Sequence, residues 1–137
     1  MMKRKFPAHL MKKTWIKRTN WKKKPPQKTL KRKAWDTFSK WIRNRDQMCI
    51  TCGDRNCLLN AGHFWHGVLD FDEMNINAQC TGCNNYKSGN LAPYSIYLIN
   101  KYGIEKFKDL EKRHHLAKAG EYRTDKQYLD IIEKYKL

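Results

Sequence analysis

Two cysteine pairs, Cys49-Ile-Thr-Cys52 and Cys80-Thr-Gly-Cys83, constrain this chain more than any other feature. A C-x2-C knuckle brings two thiolates to one ion, and a second knuckle completes a tetrahedral zinc site. The alternative, four unrelated buried thiols, leaves the repeated spacing unexplained. A closed four-thiolate site has no open position for chemistry, so this zinc is expected to be structural. Gly53 follows the first pair and Gly82 lies inside the second, where a tight turn favours a residue without a side chain. Cys57 falls outside the pattern and reads as a small buried or half-exposed residue. The basic stretch Met1 to Lys13 is not followed by a continuous apolar region, so no signal peptide is expected. The protein is then expected inside the cell, where reducing conditions favour metal ligands over disulfides.

Between the knuckles, Gly53 to Gln79 make 27 residues. That exceeds the roughly 15–20 common between paired knuckles in simple zinc modules. The ion therefore clamps the ends of something larger, and function is sought inside the clamp.

Charge divides the chain in two. Residues 1–45 hold 17 Lys and Arg against one acid, Asp36, whereas residues 46–137 hold 12 bases and 12 acids. A neutral module thus carries a basic N-terminal arm, a field suited to a polyanion. The arm is placed at 1–28 and the zinc-bound domain at 29–137. Pro25-Pro26 prevents a helix locally, and tryptophans are interleaved with the bases. Lys12, Lys13, Lys17, Arg18, Lys22, Lys23 and Lys24 are candidate phosphate contacts, with Trp15 and Trp21 as ring contacts to bases or sugars. The plain alternative is a solvated, disordered tail. No apolar run approaches a membrane span, and no membrane partner is expected.

From Thr29, read as an N-cap, Leu30, Ala34, Trp35, Phe38, Trp41 and Ile42 mark one face of a helix. That stripe is core; Lys31 and Arg32 on the other face are candidates for phosphate. After Pro93, Tyr94 to Tyr102 reads as a helix ended by Gly103, and Ile104 to about Lys118 as another. Thr124 and Gln127 have capping-box spacing at the start of a last helix, whose Tyr128, Leu129, Ile131, Ile132 and Tyr135 would pack on the module.

Inside the clamp, Leu58–Phe64 and Gly67–Phe71 can form two short strands with a turn at His66-Gly67. A helix then begins near Cys80 or Thr81 and carries Asn84. The expected class is α+β: a small zinc-stapled ββα-metal module surrounded by helices. The pattern of C-x2-C, a His, then Asn75 five residues before a C-x2-C-Asn resembles the HNH endonucleases. More narrowly, Ala61-Gly62-His63-Phe64, Asn75-x-Asn77-x-Gln79-Cys80, Cys83-Asn84-Asn85 and Ser88-Gly89-Asn90 resemble the NinG (Rap) family of phage recombination proteins. So does Tyr94…Leu98…Tyr102-Gly103, and the resemblance covers about residues 30–112.

The resemblance implies His63 as the general base that activates water, Asn75 as the group orienting the His63 ring, and Asn84 as a ligand of one catalytic Mg²⁺ or Mn²⁺. Many HNH enzymes carry an acidic ligand just before the base; here that position is Gly62. His66, Asp70 or Asp72 would then replace it, or His63 is itself a ligand, or His63 only packs. Asp70, Asp72 and Glu73 also fit a solvated turn, and His66 a plain turn residue. Lys87 is placed beside phosphate, against the reading of an ordinary loop. His9, His114 and His115 read as surface residues.

The leading expectation is a metal-dependent DNA endonuclease, acting through the resemblance on Holliday junctions or D-loops in phage recombination, with a homodimer suited to paired cuts. In a phage-encoded protein the place of action is the host cytoplasm or nucleoid. The alternatives are a non-catalytic zinc module that binds DNA and recruits recombination or packaging partners, and an RNA-binding zinc protein. The last leaves the His-Asn-Asn spacing unexplained.

Overall fold

The computed structural model describes residues 27–117 and 123–137. The first helix, α1 (Gln27–Asp46), runs 20 residues without Gly or Pro, a rod of about 30 Å. Leu30, Ala34, Phe38 and Ile42 recur every fourth residue and are buried along one side. They close on Ile76 and Ala78 of the sheet, on Tyr128 of the last helix and on Tyr135 just after it. Thr29 lies inside α1, not at its cap, because the helix already includes Gln27.

The sheet has two antiparallel strands, β1 (Leu59–His63) and β2 (Ile76–Cys80), paired from Leu59–Cys80 to His63–Ile76. This corrects the second predicted strand. Gly67–Phe71 is a bent connection, and the partner of β1 starts at Ile76. Leu69 in that connection has φ 56°, incompatible with a strand, and Asn75 Nδ2 holds its carbonyl at 3.1 Å.

Alternation sets Ala61, His63, Ile76 and Ala78 toward α1, and Gly62, Asn77 and Gln79 toward the opposite side. On that side a second core, Ile50, Phe64, Tyr94, Leu98 and Leu110, packs the helices α2 (Leu91–Tyr102) and α3 (Ile104–Leu116). Gly103, at φ 87°, ends α2 and starts α3, as its position suggests. Helix α2 begins at Leu91, two residues before Pro93, whose missing N–H costs nothing in a first turn. The final helix, α4 (Asp125–Lys134), carries the expected capping box between Thr124 and Gln127. Tyr128 and Tyr135 are buried by it, but Leu129 points outward and is half exposed.

The free edge of β2 is closed by the end of α1. Asp46 accepts the Ala78 N–H at 2.8 Å and pairs with Arg45 through two bonds of 2.7 and 2.8 Å. Arg45 reaches on to Asn77 Oδ1 at 2.8 Å and to the Glu73 carbonyl at 3.0 Å. Among the described residues no helix is long and apolar enough to cross a membrane.

Asp46 has only 3% of its side chain exposed, so Asp46→Ala would strand the Arg45 charge and the Ala78 N–H together. A loss of about 3–5 kcal/mol is expected, read from urea unfolding of the zinc-loaded protein.

Candidate functional site

The four predicted ligands meet. The Sγ atoms of Cys49, Cys52, Cys80 and Cys83 all lie within 4.8 Å of one another, with Cys52 and Cys80 at 3.8 Å. Four sulfurs at about 2.3 Å from a tetrahedral ion stand about 3.8 Å apart, so the cluster has the size zinc requires. Cys49 and Cys52 sit in a turn in which Gly53, at φ 77°, bonds back to the Cys49 carbonyl at 2.8 Å. Cys80 ends β2, and Cys83 lies in the π-helical turn Gly82–Tyr86 that follows. Gly82 does not need glycine's freedom: a side chain there would meet only Cys80 Sγ, at an ordinary 3.7 Å.

Hydrogen bonds around the sulfurs favour thiolate. Cys83 N–H donates to Cys80 Sγ at 3.4 Å, Asn90 Nδ2 to Cys83 Sγ at 3.5 Å, and Thr51 Oγ1 lies 3.2 Å from Cys49 Sγ. Burial opposes ionisation of Cys49, but Thr51 and nearby backbone amides hold its pKa down to about 6. Cys52 is assisted by a backbone amide at Asp54, yet bonding to Cys49, Cys80 and Cys83 pushes it up to about 12. Four thiols this close compete for ionisation, and a dication among them removes the competition. Cys57 stays outside the cluster, its Sγ 3.5 Å from the Asp54 carbonyl.

His63, at the end of the sheet opposite Cys80, faces α1. Its ring stacks on Trp35 with centroids 5.0 Å apart and 15° between planes, and on His66 at 5.2 Å. Nε2 lies 3.5 Å from Asp70 Oδ1, and Lys31 stands 3.7 Å from the other oxygen of the same carboxylate. His63, its hydrogen bond foremost, holds the Asp70 carboxyl below its ordinary pKa against the opposing effect of burial. Burial lowers the pKa of His66, and the neighbouring His63 adds to the effect. These groups line an open cavity of about 290 Å³ with Gly67 and Phe71. One end of the sheet thus offers a ring held on two sides, a carboxylate and a cation.

Asn75 does not reach the His63 ring. Its side chain is wholly buried and bridges the connection, taking the Trp65 N–H at 2.8 Å and donating to the carbonyls of Trp65 and Leu69 at 3.0 and 3.1 Å. It shapes the loop that presents Asp70. Asn84 projects from the π-helical turn toward Gly62, on the other face of the strand from His63, and no hydrogen bond joins the two among the described residues. Among the described residues, the cysteines are the one group of His, Cys and acidic side chains compact enough for a metal; His63, His66 and Asp70 are not drawn that tightly together.

The acids are not a solvated turn. Asp72 accepts the Met74 and Asn75 N–H groups at 2.9 and 3.0 Å and pairs with Arg113. Glu73 takes bonds from Tyr135 Oη at 2.7 Å and Lys134 Nζ at 3.1 Å, tying α4 to the connection. His114 stacks on Trp65 at 4.3 Å with a buried Nδ1 and is half-buried, whereas His115 is exposed. Lys31, Arg32 and Lys87 are exposed. Lys12, Lys13, Trp15, Lys17, Arg18, Trp21, Lys22, Lys23, Lys24 and His9 lie outside the described residues, as does nearly all of the 1–28 arm. Trp35 reads in sequence as one more member of the helix stripe, and Asp70 as a loop acid or a metal ligand, not as a partner of the His63 ring.

Residues 2–137 match the family model described as the bacteriophage lambda NinG protein. The chain is 44% identical over 78 residues to protein ninG of Escherichia phage 933W, covering 53% of this chain and 39% of the relative. It is 43% identical over 77 residues to protein ninG of Salmonella phage P22, covering 53% of this chain and 38% of that one. It is 41% identical over 78 residues to protein ninG of Escherichia phage lambda, covering 53% and 38%. The matched segment therefore spans about two fifths of these relatives. No solved structure matches.

Zinc removal is expected to unfold the sheet region. A strong chelator should release one zinc per chain and abolish the cooperative melt, whereas Cys57→Ser should keep one zinc, measured by elemental analysis and calorimetry. Tyr94 supplies the second expectation. Its buried hydroxyl bridges the Gly62 carbonyl at 2.9 Å and Asn77 Nδ2 at 3.1 Å, so Tyr94→Phe should cost about 1–3 kcal/mol in chemical denaturation.

Proposed function

The chain belongs to the NinG family of bacteriophage lambda proteins, and from that premise we propose that it is a metal-dependent DNA endonuclease of the HNH type, acting in phage recombination on branched DNA. The observation that carries the reading is the placing of His63: an imidazole at a strand end, gripped by Trp35 and Asp70, on the wall of an open cavity beside Lys31. In this reading the hairpin of β1 and β2 and the π-helical turn form a ββα-metal module, stapled by zinc.

Chemically, His63 takes a proton from water as that water attacks a scissile phosphate. Asp70 at Nε2 leaves Nδ1 as the accepting nitrogen and stabilises the imidazolium that forms. Trp35 fixes the plane of the ring, so the acceptor lone pair keeps one direction. Asp70 thus does for the imidazole what the family resemblance assigns to Asn75, while Asn75 acts one step back by holding the loop. Lys31 and Lys87 offer positive charge to the DNA backbone. Asn84 would hold a Mg²⁺ or Mn²⁺ ion, which when bound neutralises charge on the phosphate and leaving oxygen.

A second reading, a zinc module that binds DNA without cutting it, is favoured by two observations: position 62 carries no side chain, and the Asn75 amide is fully occupied in its loop.

Nicking of supercoiled plasmid and of four-way junctions with Mg²⁺ or Mn²⁺ separates the two. His63→Ala should lower the rate by about 10²–10⁴-fold while DNA binding persists. Asp70→Asn should lower it less, with an altered pH profile. Wild-type protein that binds junctions but never nicks them would establish the non-catalytic reading.

A further inference from the structure

Gly62 is buried, and a β-carbon built on it would stand 2.2 Å from Gln79 Oε1 and 3.0 Å from Asn84 Oδ1. Two amide oxygens, one from β2 and one from the π-helical turn, therefore converge on the one place in β1 that has no side chain. Both are held by other bonds. Gln79 Nε2 donates to the Gly89 carbonyl at 2.7 Å and lies 3.3 Å from Thr51 Oγ1, which turns Oε1 toward Gly62. Asn84 Nδ2 donates to Asn85 Oδ1 at 3.1 Å, which leaves its own oxygen facing the same point.

Gln79 has no exposed surface, and among the described residues its Oε1 has no hydrogen-bond partner. A buried oxygen without a donor is unfavourable. Two carbonyl oxygens facing one point repel each other unless something positive lies between them, and hard oxygen ligands suit Mg²⁺ and Mn²⁺.

We propose that Gln79 and Asn84 are paired ligands of a divalent cation, with Gln79 filling from β2 the role that a side chain at position 62 would fill from β1. The cation's use in catalysis rests on the nuclease reading; its binding does not. Both ligands are uncharged, so the free protein holds the ion weakly. Mg²⁺ is ordinarily held by one or two protein groups, waters and substrate phosphates. Here the phosphate would bring all the neutralising charge, making metal and DNA binding mutually dependent. The close approach also means that an acid at 62 would have to displace the Gln79 amide.

The test uses the zinc-loaded full chain and Mn²⁺. In ¹⁵N-labelled wild-type protein, substoichiometric Mn²⁺ should broaden the amide signals around Gly62 most strongly; broadening centred elsewhere overturns the proposal. Free Mn²⁺ followed by electron paramagnetic resonance should show affinity reduced at least tenfold in Gln79→Leu. Gly62→Asp alone should gain nothing, whereas Gly62→Asp combined with Gln79→Ala should bind Mn²⁺ at least tenfold more tightly than wild type. A double variant no better than wild type counts against the proposal. Failure of the nuclease reading looks different: Mn²⁺ binds as described, and no variant or wild type nicks DNA.

Discussion

Four sulfur atoms within 4.8 Å of one another hold the turn after α1 against the end of β2, and the middle of the chain depends on that closure. Two strands of five residues are marginal as an isolated hairpin in water. Here the 27-residue segment between the knuckles is closed at both ends, which removes much of the chain entropy that opposes pairing. The Arg45–Asp46 pair performs a related task on the free edge of β2, replacing a third strand with one carboxylate and one guanidinium. The cysteine cluster, the ion pair and the two small cores on either side together position a sheet that would not persist alone.

That sheet inverts the usual polarity on one face. Asn77 and Gln79 point inward and are fully buried, their polar atoms tied to Arg45, Tyr94, Thr51 and the Gly89 carbonyl, save for one oxygen of Gln79. A hydrogen-bonded interior of this kind specifies register more sharply than interchangeable aliphatic side chains do, because a slip by one residue would strand several buried groups at once.

The same inversion explains where sequence reading succeeded and where it failed. The knuckles, the stripe on α1, the Gly103 break and the Thr124–Gln127 cap follow local rules of spacing and conformation, and all are present. Strand β2 was missed because Ile76-Asn-Ala-Gln-Cys80 has its amides on a buried face, whereas Gly67–Phe71 offered a more conventional run of apolar residues. The imidazole of His63 stands out in the sequence, and His66 and Asp70 only as candidate metal ligands, not as partners of the ring. Asp70 and Trp35 come from a loop and from a helix remote in sequence, and nothing local distinguishes them from a turn acid and a core aromatic. Gln79 stands in the family motif without a role, since an amide becomes informative only when its oxygen is seen to lack a donor.

Lys31 and Trp35, which line the cavity with His63, lie in the first turns of α1, immediately after the most basic stretch of the chain. Lys31 is four residues from Gln27, about 6 Å along the helix axis. Gln27, the first described residue, is thus only about one helical turn from the cavity wall. A ligand in the cavity would therefore meet the start of α1 as well as the imidazole, and the Trp35–His63 stack fixes those two walls to each other.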